Sequence, residues 1–370
     1  MPRASTSITQ ESDIPATGRR QWLARVCQRS RTLPILQGMR GLWRNDLRIV
    51  AYHRVLELPP SRDFTFDVEL VSATADGFRR QMALLKRRLQ PISFAETLDC
   101  LQHGRPLPKG AVLVTFDDGY DDNYRVAFPI LKDLGMSAMF FVSTSHIDTG
   151  APYAYDWMVH MLCTTMAAKL DLPELGIEWP LPPDVGLRRT LAARLLDRLK
   201  SLDADAQERL IGRLETEWGL LRAHGHADCK PMDWSQLREM QQAGMEVGSH
   251  GVTHRMLAKL PEADMQQEVS VSLATLQREL GVAPPVISYP VGGPDAFDAT
   301  VVEAVRDAGF ALGCSYIAGT TVLSSSNRYA LRRLPVERDM DLGWFEAMLA
   351  VPEVFSYASR LRTRHTQSGA

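Results

Sequence analysis

The chain has 370 residues, a formal net charge of −2 and 45% hydrophobic residues. Its length allows one large hydrophobic core with an accessory segment, and its balanced charge excludes a general attraction to nucleic acid, so no nucleic-acid partner is expected. No apolar stretch approaches the roughly 18 residues of a membrane-spanning helix, and five scattered cysteines without a CxxC pair favour reduced thiols.

The first predicted element is a basic N-terminal segment. Residues 1–18 are rich in Ser, Thr and Pro, which predicts a disordered tail. Further on, arginines alternate with tryptophan and leucine, a pattern that favours a helix packed on the domain with its arginines in water. The alternative is a helix on an anionic membrane surface, which would give peripheral membrane contact. Arg19-Arg20 resembles a twin-arginine signal, but later arginines break the apolar region that such a signal needs, so we expect a cytoplasmic protein, membrane-associated in the alternative case.

Strand-like and helix-like runs then alternate along the chain. This alternation predicts a parallel sheet with helices outside. About eight strands is the count of a closed barrel, in which active residues gather at the C-terminal strand ends. The predicted strands are 48–53, 91–94, 111–116, 138–142, 245–248, 286–289, 311–316 and 331–336, and the helices are 77–89, 95–102, 123–134, 234–243, 262–280, 298–308 and 342–349.

The barrel pattern is interrupted by a segment that we interpret as a helical insertion. Two amphipathic helices are predicted at 187–202 and 206–221, after a proline-rich linker at 179–183. The insertion would cap the barrel mouth, and the alternative is a purely structural subdomain. The predicted division of the chain is a basic tail and helix at 1–46, the barrel at 47–150 and 233–350, the insertion at 151–232 and a C-terminal tail at 351–370.

Two adjacent carboxylates stand at the end of the strand 111–116. The apolar run leads directly into Asp117, Asp118 and a glycine. Neighbouring side chains of a strand point to opposite faces, so both acids can share one site only where the strand ends. Burying two acids is costly unless a cation or a reacting proton stabilises them. The alternative is a solvated Asp-Asp-Gly turn that leads into a helix.

Two histidines four residues apart follow another strand. His250 and His254 can converge on one ion, either from one helical face or from a tight turn. Imidazole suits zinc and similar divalent metals, and a carboxylate completes a three-ligand site with a position open for water. The alternative is a helix start capped by Ser249 or Thr253, with the histidines incidental. Because both constellations stand at strand ends, we favour the metal site.

Together these segments resemble the polysaccharide deacetylases, the NodB-homology proteins of carbohydrate esterase family 4. The resemblance rests on TFDDG at 115–119, SHGVTH at 249–254 and SYPVGG at 288–293, and it spans residues 47–336. YHRV at 52–55 is similar to the opening strand of a bacterial exopolysaccharide-related branch. The resemblance implies the distorted (β/α) barrel of the NodB domain, with a helical insertion, and a hydrolase acting on carbon–nitrogen bonds.

The resemblance also implies a role for each motif residue. Asp118, His250 and His254 would hold a divalent metal, for which we expect zinc. Asp117 would be the general base that takes the proton of the attacking water. The backbone N–H of Tyr120 would stabilise the developing oxyanion.

Two departures from the family pattern concern the general acid and the orientation of the base. The third motif commonly begins with an arginine that orients the base, and here Ser288 or Tyr289 takes that place. Arg332 or Arg333, on the last strand, would substitute for it. The last motif often supplies a histidine as general acid and has none here, so His53, at the end of the first strand, is the substitute. The alternative for His53 is a structural histidine bonded to a backbone carbonyl.

The leading hypothesis is a metal-dependent hydrolase that removes N-acetyl groups from an N-acetylated sugar of a polysaccharide or its precursor. A second is hydrolysis of another C–N bond or of an O-acetyl ester on the same barrel, since fold does not fix substrate. A third is a catalytically inactive carbohydrate-binding relative. Four aromatic residues of the insertion could stack on sugar rings, although core packing is favoured for each of them: Tyr153, Tyr155, Trp157 and Trp179.

Overall fold

The computed structural model describes residues 16–30, 32–60, 63–199, 202–281 and 283–356. The parts of the two predicted tails at 1–15 and 357–370 lie outside the described residues. The strands are β1 Arg48–Tyr52, β2 Arg54–Val55, β3 Val71–Ala73, β4 Gln90–Pro91, β5 Ala111–Phe116, β6 Met139–Val142, β7 Lys169–Leu172, β8 Ile177–Pro180, β9 Glu246–Ser249, β10 Val286–Ser288, β11 Leu312–Ala318 and β12 Leu331–Pro335. The helices are α1 Ala16–Arg29, α2 Leu33–Trp43, α3 Ala75–Arg88, α4 Phe94–Gln102, α5 Phe128–Asp133, α6 Thr144–Thr149, α7 Ala154–Thr164, α8 Val185–Leu199, α9 Ala204–Trp218, α10 Trp234–Gln242, α11 Glu262–Leu280, α12 Ala299–Asp307, α13 Leu342–Ala350 and α14 Pro352–Phe355.

Parallel strands close into a barrel, which confirms the predicted fold class. In the described part of the chain seven strands form the ring, in the order β1-β12-β11-β10-β9-β6-β5, and β5 pairs back to β1 along the whole of β1. All six residues of β5 are buried, as expected of a parallel strand that is covered on both faces. The C-terminal ends of the seven strands therefore meet at one face of the barrel.

The expectation of eight strands in the ring is wrong, because β4 does not join the ring. It contains two residues and pairs with the first residues of β5, whereas β6 pairs with the last residues of the same strand. Since β1 occupies the other edge of β5, β4 has no place in the closed ring. Pro91 cannot donate to a sheet, and Ser93 caps α4 in a capping box with Glu96, which ends the strand early.

The helix predicted at 123–134 forms in two parts. A π-helical turn covers Asn123–Ala127, and α5 follows it. Pro129 has no N–H to donate to the preceding turn, and the wider π-helical turn lies directly before it. The helix therefore tolerates proline through a change of helix type.

The segment after α6 packs around a hydrophobic cluster of its own. Side chains of α7, α8 and α9 meet Phe64 and Phe66 there. The two predicted helices correspond to α8 and α9, whereas α7 was not predicted. Trp179 and Pro180, predicted as linker, belong to β8, which forms an antiparallel hairpin with β7. The division of the chain into domains stays a prediction.

The N-terminal helices α1 and α2 pack against α13, as favoured from the sequence. In α1, Arg20, Arg25 and Arg29 are exposed, as expected, whereas the orientation of α2 is the reverse of the expected one. Arg40 of α2 faces the protein and pairs with Asp46 and Glu353, while Leu42 and Trp43 are 76% and 85% exposed. Across the described residues, every helix is too short or too polar to cross a membrane.

Candidate active site

Asp117 lies directly after β5 and is held by a buried arginine. Arg333 of β12 donates from Nη1 to Oδ1 of Asp117 (2.8 Å) and from Nη2 to Oδ2 (2.7 Å). The same Nη2 donates to the Ser288 hydroxyl (2.9 Å). Arg332, the other candidate, is exposed. Burial alone would raise the pKa of Asp117, but the charge and hydrogen bonds of Arg333 lower it below the ordinary carboxyl value, so the group is held as a carboxylate.

Asp118 turns away from Asp117 because the backbone changes conformation between the two. Asp118 has φ of 75°, a left-handed conformation that is unfavourable for a residue other than glycine and that clusters at functional sites. Gly119 follows with φ of 70°, and a Cβ there would stand 2.7 Å from Cγ1 of Val142, so only glycine fits. The Asp-Asp-Gly segment is thus a tight, buried turn rather than a solvated one.

Asp118, His250 and His254 come together as the only group of three metal-ligating side chains within the described ranges. One potential ligand atom of each lies within 4.8 Å of the others. Oδ1 of Asp118 stands 3.5 Å from Nε2 of His250 and 3.3 Å from Nε2 of His254. Burial alone would raise the pKa of Asp118, but the two imidazoles hold it well below the ordinary value.

The donor set fits a divalent metal. Oδ1 of Asp118 is buried and accepts no hydrogen bond within the described part of the chain, an arrangement that is costly unless a cation stabilises the oxygen. Nδ1 of His250 bonds the Ser288 carbonyl oxygen (2.7 Å). This carbonyl fixes the proton on Nδ1, and the lone pair of Nε2 is then directed toward Asp118.

A buried glutamate that was not predicted holds the histidine loop. Glu268 of α11 accepts hydrogen bonds from the backbone N–H of Val252 (2.7 Å) and of Thr253 (2.9 Å). The hydroxyl of Thr253 also donates to it. Ser249 bonds Ser272, so neither Ser249 nor Thr253 reaches a histidine ring, and no sequence pattern marks Glu268.

His53 and Tyr120 complete the set of predicted site residues. His53 follows β1 and lines the same cavity, of about 660 Å³, as the two aspartates and the two motif histidines. Its ring lies 5.4 Å from that of Tyr316 and makes no hydrogen bond within the described chain. Burial lowers the pKa of His53 against the opposing effect of the aspartates. The Tyr120 side chain is buried, and its phenol donates to Asp156 (3.1 Å).

Comparison with known proteins gives the family. A model of the polysaccharide deacetylase family matches residues 104–167 and 182–313, which make up more than half of the chain. The chain belongs to the polysaccharide deacetylase family. The resemblance inferred from the three motifs is thereby confirmed, and hydrolysis of carbon–nitrogen bonds is the enzyme class that this family implies.

Individual relatives of the family agree with this assignment. A poly-beta-1,6-N-acetyl-D-glucosamine N-deacetylase of Escherichia coli K12 is 33% identical over 108 residues, which are 29% of this chain and only 15% of that protein. The Streptococcus pyogenes deacetylase PplD in complex with acetate shares 18% identity and a TM-score of 0.55, over 84% of this chain and 99% of that one. IcaB from Ammonifex degensii shares 20% identity and a TM-score of 0.51, over 83% and 97%. At these identities the structures show a common fold.

Proposed function

We propose that the chain is a metal-dependent deacetylase that removes N-acetyl groups from an N-acetylated sugar of a polysaccharide or its precursor. The observation that supports it most is the pairing of two adjacent buried carboxylates with different partners. Asp117 is bonded to Arg333, and Asp118 faces two imidazoles. One residue is therefore suited to accept a proton and its neighbour to bind a cation.

Asp118, His250 and His254 would hold the metal. A divalent ion at such a site lowers the pKa of a coordinated water and polarises a carbonyl. Two imidazoles and one carboxylate are a ligand set that zinc accepts. Zinc and the predicted cytoplasmic location both stay predictions.

Residues of the chain carry out the proton transfers and stabilise the developing oxyanion. Asp117 takes a proton from the water that attacks the acetamide carbonyl carbon, and Arg333 keeps Asp117 oriented and ionised beforehand. The Tyr120 backbone N–H, which makes no hydrogen bond within the described residues, donates to the developing oxyanion. His53, once protonated, gives its proton to the sugar nitrogen as the C–N bond breaks. Acetate and a free amine are the products.

The substrate class follows from the cavity and the relative. The cavity of about 660 Å³ is lined in part by Leu196, Leu199 and Ile211 of the α8–α9 segment, which gives it apolar as well as polar walls. The Escherichia coli relative is named for poly-beta-1,6-N-acetyl-D-glucosamine. We therefore choose oligomers of β-1,6-linked N-acetylglucosamine as the first substrate to test.

Acetate release from these oligomers tests the proposal. We expect release by the metal-loaded protein and a loss of about 10²–10⁴-fold in kcat with Asp117→Asn, the range that general-base catalysis contributes. The β-1,4-linked oligomers and an O-acetylated sugar are run in parallel. Release from the O-acetyl ester alone would favour the esterase alternative. Saccharide binding without any Asp117-dependent release would favour an inactive binding relative.

We also propose that the N-terminal helices make peripheral contact with a membrane. Residues 16–45 contain seven arginines and no acidic residue. Trp22 of α1 and Ile35, Leu42 and Trp43 of α2 are exposed. Arg20, Arg29 and Arg44 are exposed as well. Exposed apolar residues near arginines suit an anionic lipid surface, whereas the same face on a second copy of the chain would bring like charges together.

A further inference from the structure

Three residues at the start of α7, within four positions of the chain, bond three different groups of the TFDDG motif and the residue after it. The Tyr153 hydroxyl donates to the backbone carbonyl of Asp118 (2.5 Å). The Tyr155 hydroxyl donates to Oδ2 of Asp118 (2.8 Å). Asp156 accepts the bond from the Tyr120 phenol (3.1 Å). The segment that interrupts the barrel is therefore connected by hydrogen bonds to the metal-ligand carboxylate itself.

The bond from Tyr155 makes the two oxygens of Asp118 unequal. Oδ2 is occupied by the phenol, while Oδ1 accepts no hydrogen bond within the described chain and faces both imidazoles. A carboxylate that is held through one oxygen presents the other in a fixed direction. Without the phenol, the carboxylate could rotate about its χ2 angle, a torsion with broad energy wells.

The backbone of Asp118 needs support for a separate reason. Its φ of 75° is unfavourable for an L-residue and persists only when surrounding contacts hold it. The Tyr153 hydroxyl supplies such a contact at the carbonyl of the same residue, and its ring lies 3.9 Å from that of His146 and 5.2 Å from that of His254. Tyr153 is buried, so the contact is not exchanged for water.

We propose that Tyr155 and Tyr153 are positioning residues that hold Asp118 as a single-oxygen metal ligand, so that the α7 segment sets the metal affinity of the barrel. The inference rests on the proposed function, in which Asp118 binds the metal. Stacking on a sugar would use the ring faces of these tyrosines and stays a prediction, whereas the bonds to Asp118 use their hydroxyl groups. A hydroxyl that orients a ligand in this way is worth about 10–100-fold in metal affinity.

The test measures the affinity of the purified, metal-free protein for zinc ion by competition with a chromophoric chelator. Tyr155→Phe removes the hydroxyl and keeps the ring beside His254. We expect zinc to bind about 10–100-fold more weakly, and acetate release to return when zinc is saturating. Tyr124→Phe is the matched control, because the exposed Tyr124 hydroxyl bonds Glu239 (2.7 Å) on the outside of the barrel, and its zinc affinity should be unchanged.

The outcomes separate this inference from the proposed function. Zinc binding by the wild-type protein with an equal affinity in Tyr155→Phe overturns the inference and leaves the proposed function intact. A wild-type protein that binds neither zinc nor another divalent metal ion overturns both. If Tyr155→Phe does not fold, as judged from the unfolding transition of the metal-free protein, Tyr153→Phe replaces it. A zinc affinity of Tyr153→Phe equal to that of the wild type then overturns the inference.

Discussion

Both terminal nitrogens of Arg333 donate to Asp117, and this pairing decides how the carboxylate responds to pH. The pKa of Asp117 in the folded protein is below its unfolded value. The stabilisation from the pair is therefore present above the unfolded carboxyl pKa of about 3.9 and is lost as the pH falls through the lowered folded value. Removal of the guanidinium leaves a buried carboxylate whose pKa burial raises.

We predict that Arg333→Met moves the acidic limb of the kcat/KM profile to higher pH, because a protonated Asp117 cannot act as base. The free energy of unfolding at neutral pH should fall by about 3–5 kcal/mol, as for other buried pairs that lose one partner. Arg333→Lys keeps the charge without the two hydrogen bonds of the guanidinium. Its acidic limb and its free energy of unfolding should lie between those of the wild type and those of Arg333→Met. The exposed neighbour gives the control, Arg332→Met. A pH profile of Arg333→Met that coincides with that of the wild type would contradict the assignment.

The choice between Arg332 and Arg333 shows what could be learned from the sequence at this scale. The two arginines are adjacent in the sequence, and alternation along β12 places them on opposite faces. The sequence predicts that one of them reaches the base but does not identify which. The face of β12 to which each side chain points depends on the register of β12 with β1 and β11. The proximity of Asp117, Asp118 and His250 could be predicted because each stands near the end of an apolar run, and the roles of these residues stay predictions.

At the scale of elements, α2 is an amphipathic helix whose apolar face is turned outward. Ile35, Met39 and Trp43 recur at intervals of four residues and are exposed, whereas Gln37 donates to the carbonyl of Arg88 (2.6 Å) on the protein side. The sequence predicted a packed basic helix. It could not predict which face is packed, since that depends on the polar partners that α13, α14 and the end of α3 present.

We predict that the protein sediments with vesicles of phosphatidylglycerol and phosphatidylcholine, and less with vesicles of phosphatidylcholine alone. Binding should weaken at high salt, because exposed arginines are screened. Leu42→Glu with Trp43→Glu should abolish sedimentation. A control pair places the same charges at exposed apolar residues elsewhere, Met166→Glu with Leu187→Glu, and should sediment like the wild type. Equal loss in both pairs, or dimerisation in place of vesicle binding, would contradict membrane contact.

At the scale of the whole molecule, barrel closure is what assembles the site. Asp117 and Asp118 follow β5, His250 follows β9 and Arg333 lies on β12. In sequence these residues span more than 200 positions, yet the parallel ring brings their strand ends to one face. This explains why the strand-end motifs predicted that these residues lie together. The hydrogen bonds from α7 could not be predicted, because they depend on how a segment outside the ring folds back over it.

The same closure links the proposed metal binding to the stability of the whole chain. The proposed ligands lie on two segments separated by more than 130 residues, so an ion that binds them binds the folded state and not the unfolded chain. At a free zinc concentration of 100 times Kd the folded state should gain about 2.7 kcal/mol, and the midpoint of thermal unfolding should rise accordingly.

His254→Gln should lose most of this gain, whereas His224→Gln, at an exposed position outside the site, should keep it. Burial alone would lower the pKa of His250, but Asp118 and Asp117 raise it above the ordinary value, so protons compete with the metal for this imidazole and the gain should shrink as the pH falls. Scanning calorimetry with zinc and with a chelator measures each difference, and an equal gain in both histidine variants would place the metal elsewhere.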